Sequence, residues 1–546
     1  MSGESSVNIG VAIADGTQID SGAGSVTINA LSTTTTGATN PHAFEWQTIA
    51  ANNSTITSSK PSADAITITG TSTAPAADSQ GVSFWANNST GSTVTLTARG
   101  AGGNIVISGS SANAVSGVRL NSVNFYTASG NVTIDGGAKG VAFAVGANNV
   151  GVNIGAASGS TSSGTFTLRG DTVSSGSGSS TATNIRSANI VVEPSSGANF
   201  SAAQTFPYAN FTFSSPASLR VGKTTSTTQD VTLNTLAIAG PVSAYGKNVT
   251  LNGGLTTTTS SGNVTVVAAS SATTAGTNTT SGSMNLSGAY VEFGGTQTAT
   301  GTGARILGKA TASVRAATGT TLRTYGGIIS LWADSDSSGG GSVVLRNAAN
   351  TGVTLCTAPS GGACDGTTSS GGGDIVLGGG AVETDTTLTD YQNRPGGFAI
   401  GSTVDNENGT VGGTGATNNY NAGVYLGNTS INNGVTKLYS AGGNIAIRGK
   451  SYAGAVTVWA AAVTSPGGVT VDSGSGKILV DAYAQSTGTT AVNGCLEFNA
   501  WGGTTSYKSS NTADDSINID CHQVNATSYG MWGGNVGTTF TNTNSN

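Results

Sequence analysis

Few side chains in this chain can ionise, so the chemistry open to it narrows quickly. Glycoside hydrolysis needs two carboxylates at a set separation, one acid and one base or nucleophile. Asp514 and Asp515, in NTADDSINID, are the one adjacent pair of acids, and their polar surroundings read as a solvated turn. His42 and His522 are the two histidines, and neither lies between glycines. No GxSxG elbow, HExxH helix or phosphate-binding loop occurs. Asp334 and Asp336 in DSDSSGG, and Asp405 and Glu407 in DNENG, have calcium-loop-like spacing but lack the downstream Glu of such a loop. Polar loops are the simpler reading. The expectation is a protein that is no enzyme, with no catalytic residue, no metal and no cofactor.

Cysteine and tryptophan are more informative. Cys356 and Cys364 flank TAPSGGA, a short loop able to close on itself. Cys495 and Cys521 lie 26 residues apart, about one turn of a repeating structure. Two local disulfides are expected, which agree with an exported protein. Val82 and Phe84 share one face of VSFWANN, so Trp85 takes the other. The same count puts Trp332, Trp459 and Trp501 opposite their aliphatic neighbours. These four tryptophans are candidate contacts for a glycan or a protein partner, unless loops fold back over them.

The elements that would position these residues are short. Period-2 runs recur throughout: DAITITGT, STVTLTA, GNVTIDGG, GTFTLRG, KNVTLNGG, GNVTVVAA, GGDIVLGG, SINID. Helix formers are scarce, Gly numbers 83 of 546 residues, and Gly, Asn, Ser or Asp bounds almost every run. Charged residues make up 8%, against roughly 25% in ordinary soluble domains. With 20 Lys plus Arg dispersed and a net charge of −6, no basic stripe for nucleic acid exists. No apolar run is long enough for a membrane span.

Strands starting near Ile445, Val456, Val469 and Ile478 step by 11, 13 and 9 residues. Two or three such steps make one coil of a parallel β-helix with irregular coils and loop insertions. At about 22 residues per coil, some 25 coils would stack. RGAGGNIVISGS and SAGGNIAIRGK then read as the same corner met twice. Gly supplies the turn, and the Asn at positions 104, 131, 248, 263 and 444 can hydrogen-bond to its neighbours up and down the stack. Residues 1–489 are expected to form the β-helix. Residues 490–546, richer in Cys, aromatics and charge, are expected to be C-terminal coils acting as a cap or assembly joint.

The repeated Gly-[Gly/Ser]-Asn-[Val/Ile]-x-[Ile/Leu/Val] words, the Ser/Thr/Asn/Gly-rich composition and the scarcity of Cys make the chain resemble filamentous-haemagglutinin-type adhesins and autotransporter passenger regions. The resemblance implies a right-handed parallel β-helix displayed outside a Gram-negative cell, used in adhesion or as a fibre. Asn40-Pro41-His42-Ala43 matches only a fragment of the secretion-domain motif, and the TNTNSN end is not that of a membrane barrel. The start, MSGESSVNIG, is no signal peptide, so the expectation is either a leader already removed or a segment of a longer protein. The functional expectation is a non-catalytic, rod-like extracellular adhesin or fibre element making weak multivalent contacts. Its partners would be host or neighbouring-cell glycans or proteins, with end-to-end self-association possible at open strand edges. The alternative is a carbohydrate-active β-helix of tailspike or polysaccharide-lyase type, marked by a groove holding paired carboxylates.

Overall fold

A computed structural model describes the chain except residues 1, 6–8, 34–40, 49–51, 87–91, 144–149, 176–181, 196, 347–350, 402–403, 406–409, 412–421, 428–433, 455–460, 466–467, 486–493, 499–503, 525–529, 534–536 and 544–546. It is all-β, with 53% strand and 1% helix. The strands stack in parallel as a β-solenoid. Two compact units divide the chain, residues 1–247 and 248–546.

In the first unit the coils up to about residue 175 each contribute strands to three parallel faces; after that the single strand Thr183–Glu193 serves both the third and the first face. On the first face Val26 stands beside Ile66, then Ile105, Val132, Phe166, Ile190, Leu219 and Val242, each in register with the one before. Phe44, Val82, Val118 and Val141 form the corresponding column of the second face. Ile56, Leu96, Phe125, Ile154, Ile185 and Phe213 form that of the third. Period-2 alternation fixes which side chains enter the core. Ile66, Ile68, Leu96, Ile105, Ile107 and Phe125 are fully buried, while Thr67, Thr95, Thr97 and Val106 on the other side of the strands are only partly so. One coil cannot bury its own aliphatic face, so each level depends on its neighbours.

The second unit repeats the plan. Val264, Met284, Ile306, Ile329, Ile375, Ile445, Ile478 and Ile517 form one column. Val291, Val314, Val343, Val424, Val463 and Leu496 form a second. Gln297, Leu322, Leu355, Leu438, Val471, Tyr507 and Phe540 form a third. The strands within residues 490–546 continue these columns, so they are further coils.

Coil length differs from the expected 22 residues. The first-unit column above advances by 40, 39, 27, 34, 24, 29 and 23 residues. The second-unit column advances by 20, 22, 23, 46, 70, 33 and 39. Far fewer than 25 levels therefore stack. The cause is insertion at the corners, where polar loops lengthen a coil without touching its strands. The coil from Ile445 to Ile478 is nonetheless the sum of the three sequence steps, although Val456 lies outside the described residues.

The Gly-Gly-Asn corner works through three separate devices. Gly442 takes a left-handed φ of 104°, a region other residues avoid. Gly443 does not; a Cβ there would sit 2.1 Å from the carbonyl oxygen of Gly373 on the level beside it. Its role is close approach between levels. The Asn that follows accepts a backbone N–H from the next level. The Oδ1 of Asn104 accepts from Asn131 (2.9 Å), Asn131 from Thr165 (2.8 Å), Asn263 from Ser283 (2.7 Å) and Asn444 from Lys477 (2.9 Å). Asn248 accepts from Ser271. All five sequence-identified asparagines thus bond along the stack. A second ladder runs amide to amide on the outward side of the third face of the first unit. Asn153 Nδ2 donates to Asn124 Oδ1 at 2.7 Å and Asn184 Nδ2 to Asn153 Oδ1 at 2.9 Å. Thr95 and Thr212 hydroxyls close its ends.

Candidate functional site

Trp85 is half-buried on the strand Val82–Ala86. Its register partner on the preceding level is Gln47. The guanidinium of Arg119, from the following level, lies 3.5 Å from the ring centroid, a cation–π contact. One ring face of Trp85 is therefore already occupied. Arg119 also pairs with Asp78 at 3.4 Å, and Asp78 accepts the Gln80 side-chain amide at 2.7 Å. Glu45, Ser83 and Arg119 follow one another in register on the outward side of the second face. At the corner before that face, the Gln80 N–H donates to His42 Nδ1 at 3.2 Å. Three coils thus gather residues from 42 to 119 into one polar constellation.

Burial sets its electrostatics. Desolvation lowers His42 to about 4, so the imidazole is neutral and free to accept from Gln80. Burial raises the Glu45 carboxyl, with Asp78 adding to the effect and Arg119 opposing it. Gln80 Oε1, Ser83 Oγ, Ser116 Oγ and Arg119 Nε are buried without hydrogen-bond partners. Such atoms ordinarily hold ordered water. The constellation can bind water or a small polar group; the depth of Glu45, 8% exposed, keeps a polymer from its carboxyl.

Trp332 corrects the expectation of an exposed tryptophan. It stands on the predicted outward side of Ile329–Ala333, in register between Lys309 and Gly378, but it is 2% exposed. Its Nε1–H donates to Gly380 O at 2.8 Å, and Lys309 Nζ sits 4.0 Å over the ring. The insertion that lengthens the next coils folds back here, pairing Pro395–Gly397 antiparallel to Ile375–Val382. Ion pairs pin it: Arg394–Asp374 at 2.6 Å, Arg305–Asp390 at 3.1 Å and Arg448–Glu383 at 3.3 Å. Trp459 and Trp501 lie outside the described residues.

Cys356 and Cys364 are joined, with an S–S distance of 2.00 Å and Cα atoms 5.8 Å apart. The bridge and Ala358 of its loop pack with Tyr439 and Ala441. Cys495 and Cys521 are also joined, with Cα atoms 5.7 Å apart. The pairing is as expected, but they are not equivalent positions on stacked coils. The register partner of Cys521 is Ala482, and the Cys495 N–H bonds to Gly530 O. The bridge therefore crosses a corner between two faces. The two disulfides point to a non-cytoplasmic protein.

The candidate acids are dispersed. Asp514 and Asp515 form an exposed turn, with Asp515 paired to Lys477. Asp334 is buried, and its carboxylate caps its own loop by accepting from the Ser338 hydroxyl and the Gly339 N–H. Asp336 accepts from the Ser338 N–H in the same loop. Asp405 belongs to a short antiparallel pair, Val404–Asp405 with Thr410–Val411; its side chain and Glu407 lie outside the described residues. Among the described residues no three His, Cys, Asp or Glu gather to hold a metal.

The sequence reading missed two further groups. Glu497, on Leu496–Phe498, is 4% exposed and accepts the Thr464 hydroxyl at 2.7 Å; burial pushes it up to about 7. Asp481 and Asp520 are in register on adjacent levels, with His522 Nε2 3.8 Å from Asp481. Burial raises the Asp481 carboxyl, Asp520 adds to that, and His522 opposes it. Lys450 and His522 lie on either side of Tyr483 in the neighbouring row. The available signal was a charge directly after the second core-facing aliphatic in IAIRGK, ILVDAYA and INIDCHQ, but their register was hidden by unequal coils.

The geometry defines an all-β parallel solenoid with two disulfides and polar outward ladders. Comparisons with protein-family models, curated proteins and solved structures found no match. No helix among the described residues is long and apolar enough to cross a membrane.

Proposed function

We propose that the chain is a non-catalytic extracellular scaffold of a Gram-negative cell surface, an adhesin or fibre element of filamentous-haemagglutinin type. The observation that carries this reading is the in-register polar ladder Thr95–Asn124–Asn153–Asn184–Thr212. It repeats an Asn amide on three successive levels between Thr hydroxyls, which suits several weak, similar contacts with glycans or proteins on another cell. Disulfides that need an oxidising compartment agree with it. Beads carrying the purified chain are expected to capture host or neighbouring cells, and N124A/N184A to reduce capture. Absence of capture across a panel of cell types refutes the adhesive role.

A second reading, a carbohydrate-active solenoid, is favoured by Asp481 and Asp520. Parallel strands stand about 4.8 Å apart, close to the ~5–5.5 Å carboxyl separation of retaining glycosidases. Release of reducing ends from a polysaccharide, abolished by D481N, supports it. Silence on a broad polysaccharide panel removes it.

A further inference from the structure

On the third face of the first unit the chain forms a lateral groove of about 440 Å³ beside the asparagine ladder. Thr97, Arg99, Tyr126, Ser158 and Ser160 are among its lining residues. Its floor follows from register. Thr97, Tyr126, Gly155 and Arg186 succeed one another on four levels of the outward row, next to the row of Asn124, Asn153 and Asn184. Of these four, Gly155 alone carries no side chain, and the levels approach closely there. Gly155 has a φ of 104°, and a Cβ there would meet the Arg186 carbonyl oxygen at 2.3 Å. Tyr126 is half-buried, lines the groove with Arg99, and lies near enough to Arg186 for that charge to act on its phenol.

The two arginines are unusual in this chain. Arg186 donates to the Ala157 carbonyl at 3.2 Å, which holds its guanidinium at the groove edge. Neither Arg99 nor Arg186 makes an ion pair among the described residues. Asp20 feels Arg99 only as a weak addition to its own bonds from the Gly22 N–H and the Thr57 hydroxyl. Many other arginines are spent on carboxylates: Arg169 and Arg220 on Glu193, Arg394 on Asp374, Arg448 on Glu383; Arg323, which bonds the Gly362 carbonyl and lies over Tyr325, is an exception outside the groove. Two guanidiniums left over, flanking one aromatic ring in a concave site, call for an anion on a body that can lie against that ring.

We propose that this groove binds an acidic saccharide, its pyranose ring against Tyr126, its carboxylate between Arg99 and Arg186, and its hydroxyls on Ser158, Ser160 and the asparagine amides. A sugar polymer running along the stack meets an Asn amide on three successive levels, so the site extends into a short track. The inference deepens the glycan-contact role proposed above and rests on it.

The test uses the full chain and three probes: a galacturonate hexamer, its methyl-esterified neutral form, and inorganic sulfate. Calorimetry is expected to show the charged hexamer binding at least about tenfold more tightly than either other probe. R99Q and R186Q should each weaken it about tenfold, the worth of one charge-assisted hydrogen bond. Y126A should weaken both hexamers, and added salt should weaken the charged one alone. Equal binding of charged and esterified hexamers, equal binding of sulfate, or indifference to R99Q and R186Q overturns the inference. Cell capture is measured in parallel. Capture without charge-dependent binding sinks the groove and leaves the adhesive role; charge-dependent binding without capture keeps the groove and sinks that role.

Discussion

Replacing Glu497 by glutamine should stabilise the second unit in alkaline solution and leave it unchanged in acid. The carboxyl is 4% exposed, and burial raises it from 4.5 to about 7 despite the bond from Thr464. Between those values the folded chain holds a proton that the unfolded chain has released. Stability from this group is therefore complete below pH 4.5, falls as pH rises, and is lost above pH 7. At roughly 1.4 kcal/mol per tenfold change in proton affinity, the ionised form costs about 3 kcal/mol. Glutamine has the same shape, accepts from Thr464 and never ionises. Native-state hydrogen exchange of Val463–Ser465 and Leu496–Phe498 reads the local opening free energy. The wild type should lose about 3 kcal/mol of protection from pH 4.5 to 8, and E497Q should stay level. A parallel loss in both chains, or a variant less stable at pH 8, refutes the reasoning.

His42 predicts the opposite sign in the first unit. Burial lowers it to about 4, so the unfolded chain takes up the proton first as pH falls below 6.5. Protection of Phe44–Thr48 should drop by about 3 kcal/mol between pH 6.5 and 4, and H42Q should abolish the dependence. Asn153→Ala removes both amide bonds of the central ladder rung. It should cost about 1–3 kcal/mol, read as faster exchange of Val152–Gly155 and its neighbours. Reduction of Cys356–Cys364, which closes an 8-residue separation, should cost about 2.5 kcal/mol. Thiol titration of the denatured chain should find four thiols only after a reductant is added.

The local rules of this fold were legible, and the long-range ones were not. Alternation in NIVIS and NIAIR is enough to send Ile105, Ile107, Ile445 and Ile447 inward, since a strand has only two faces. The asparagines at the corners were legible for a similar reason: a short polar side chain beside an ordered edge has one N–H to meet, that of the next level. Register between levels was not legible, because loop closure costs little extra as loops lengthen. The step from Ile375 to Ile445 can be 70 residues where that from Met284 to Ile306 is 22. Hence the outward side of Trp332 was read correctly but not its cover, which comes from residues 378–397 folding back. The same blindness hid the meeting of His42, Glu45, Asp78 and Arg119, and that of Asp481 with Asp520. Each is a pairing between levels, written nowhere in the local pattern.

The account rests on parallel, in-register stacking within each unit, and a high-resolution density map of the purified chain tests it most directly. The map should show Ile105 flanked by Ile66 on one side and Val132 on the other, all three strands running the same way about 4.8 Å apart. Antiparallel hairpins between strands adjacent in sequence, such as Val123–Thr127 against Val132–Asp135, would contradict it.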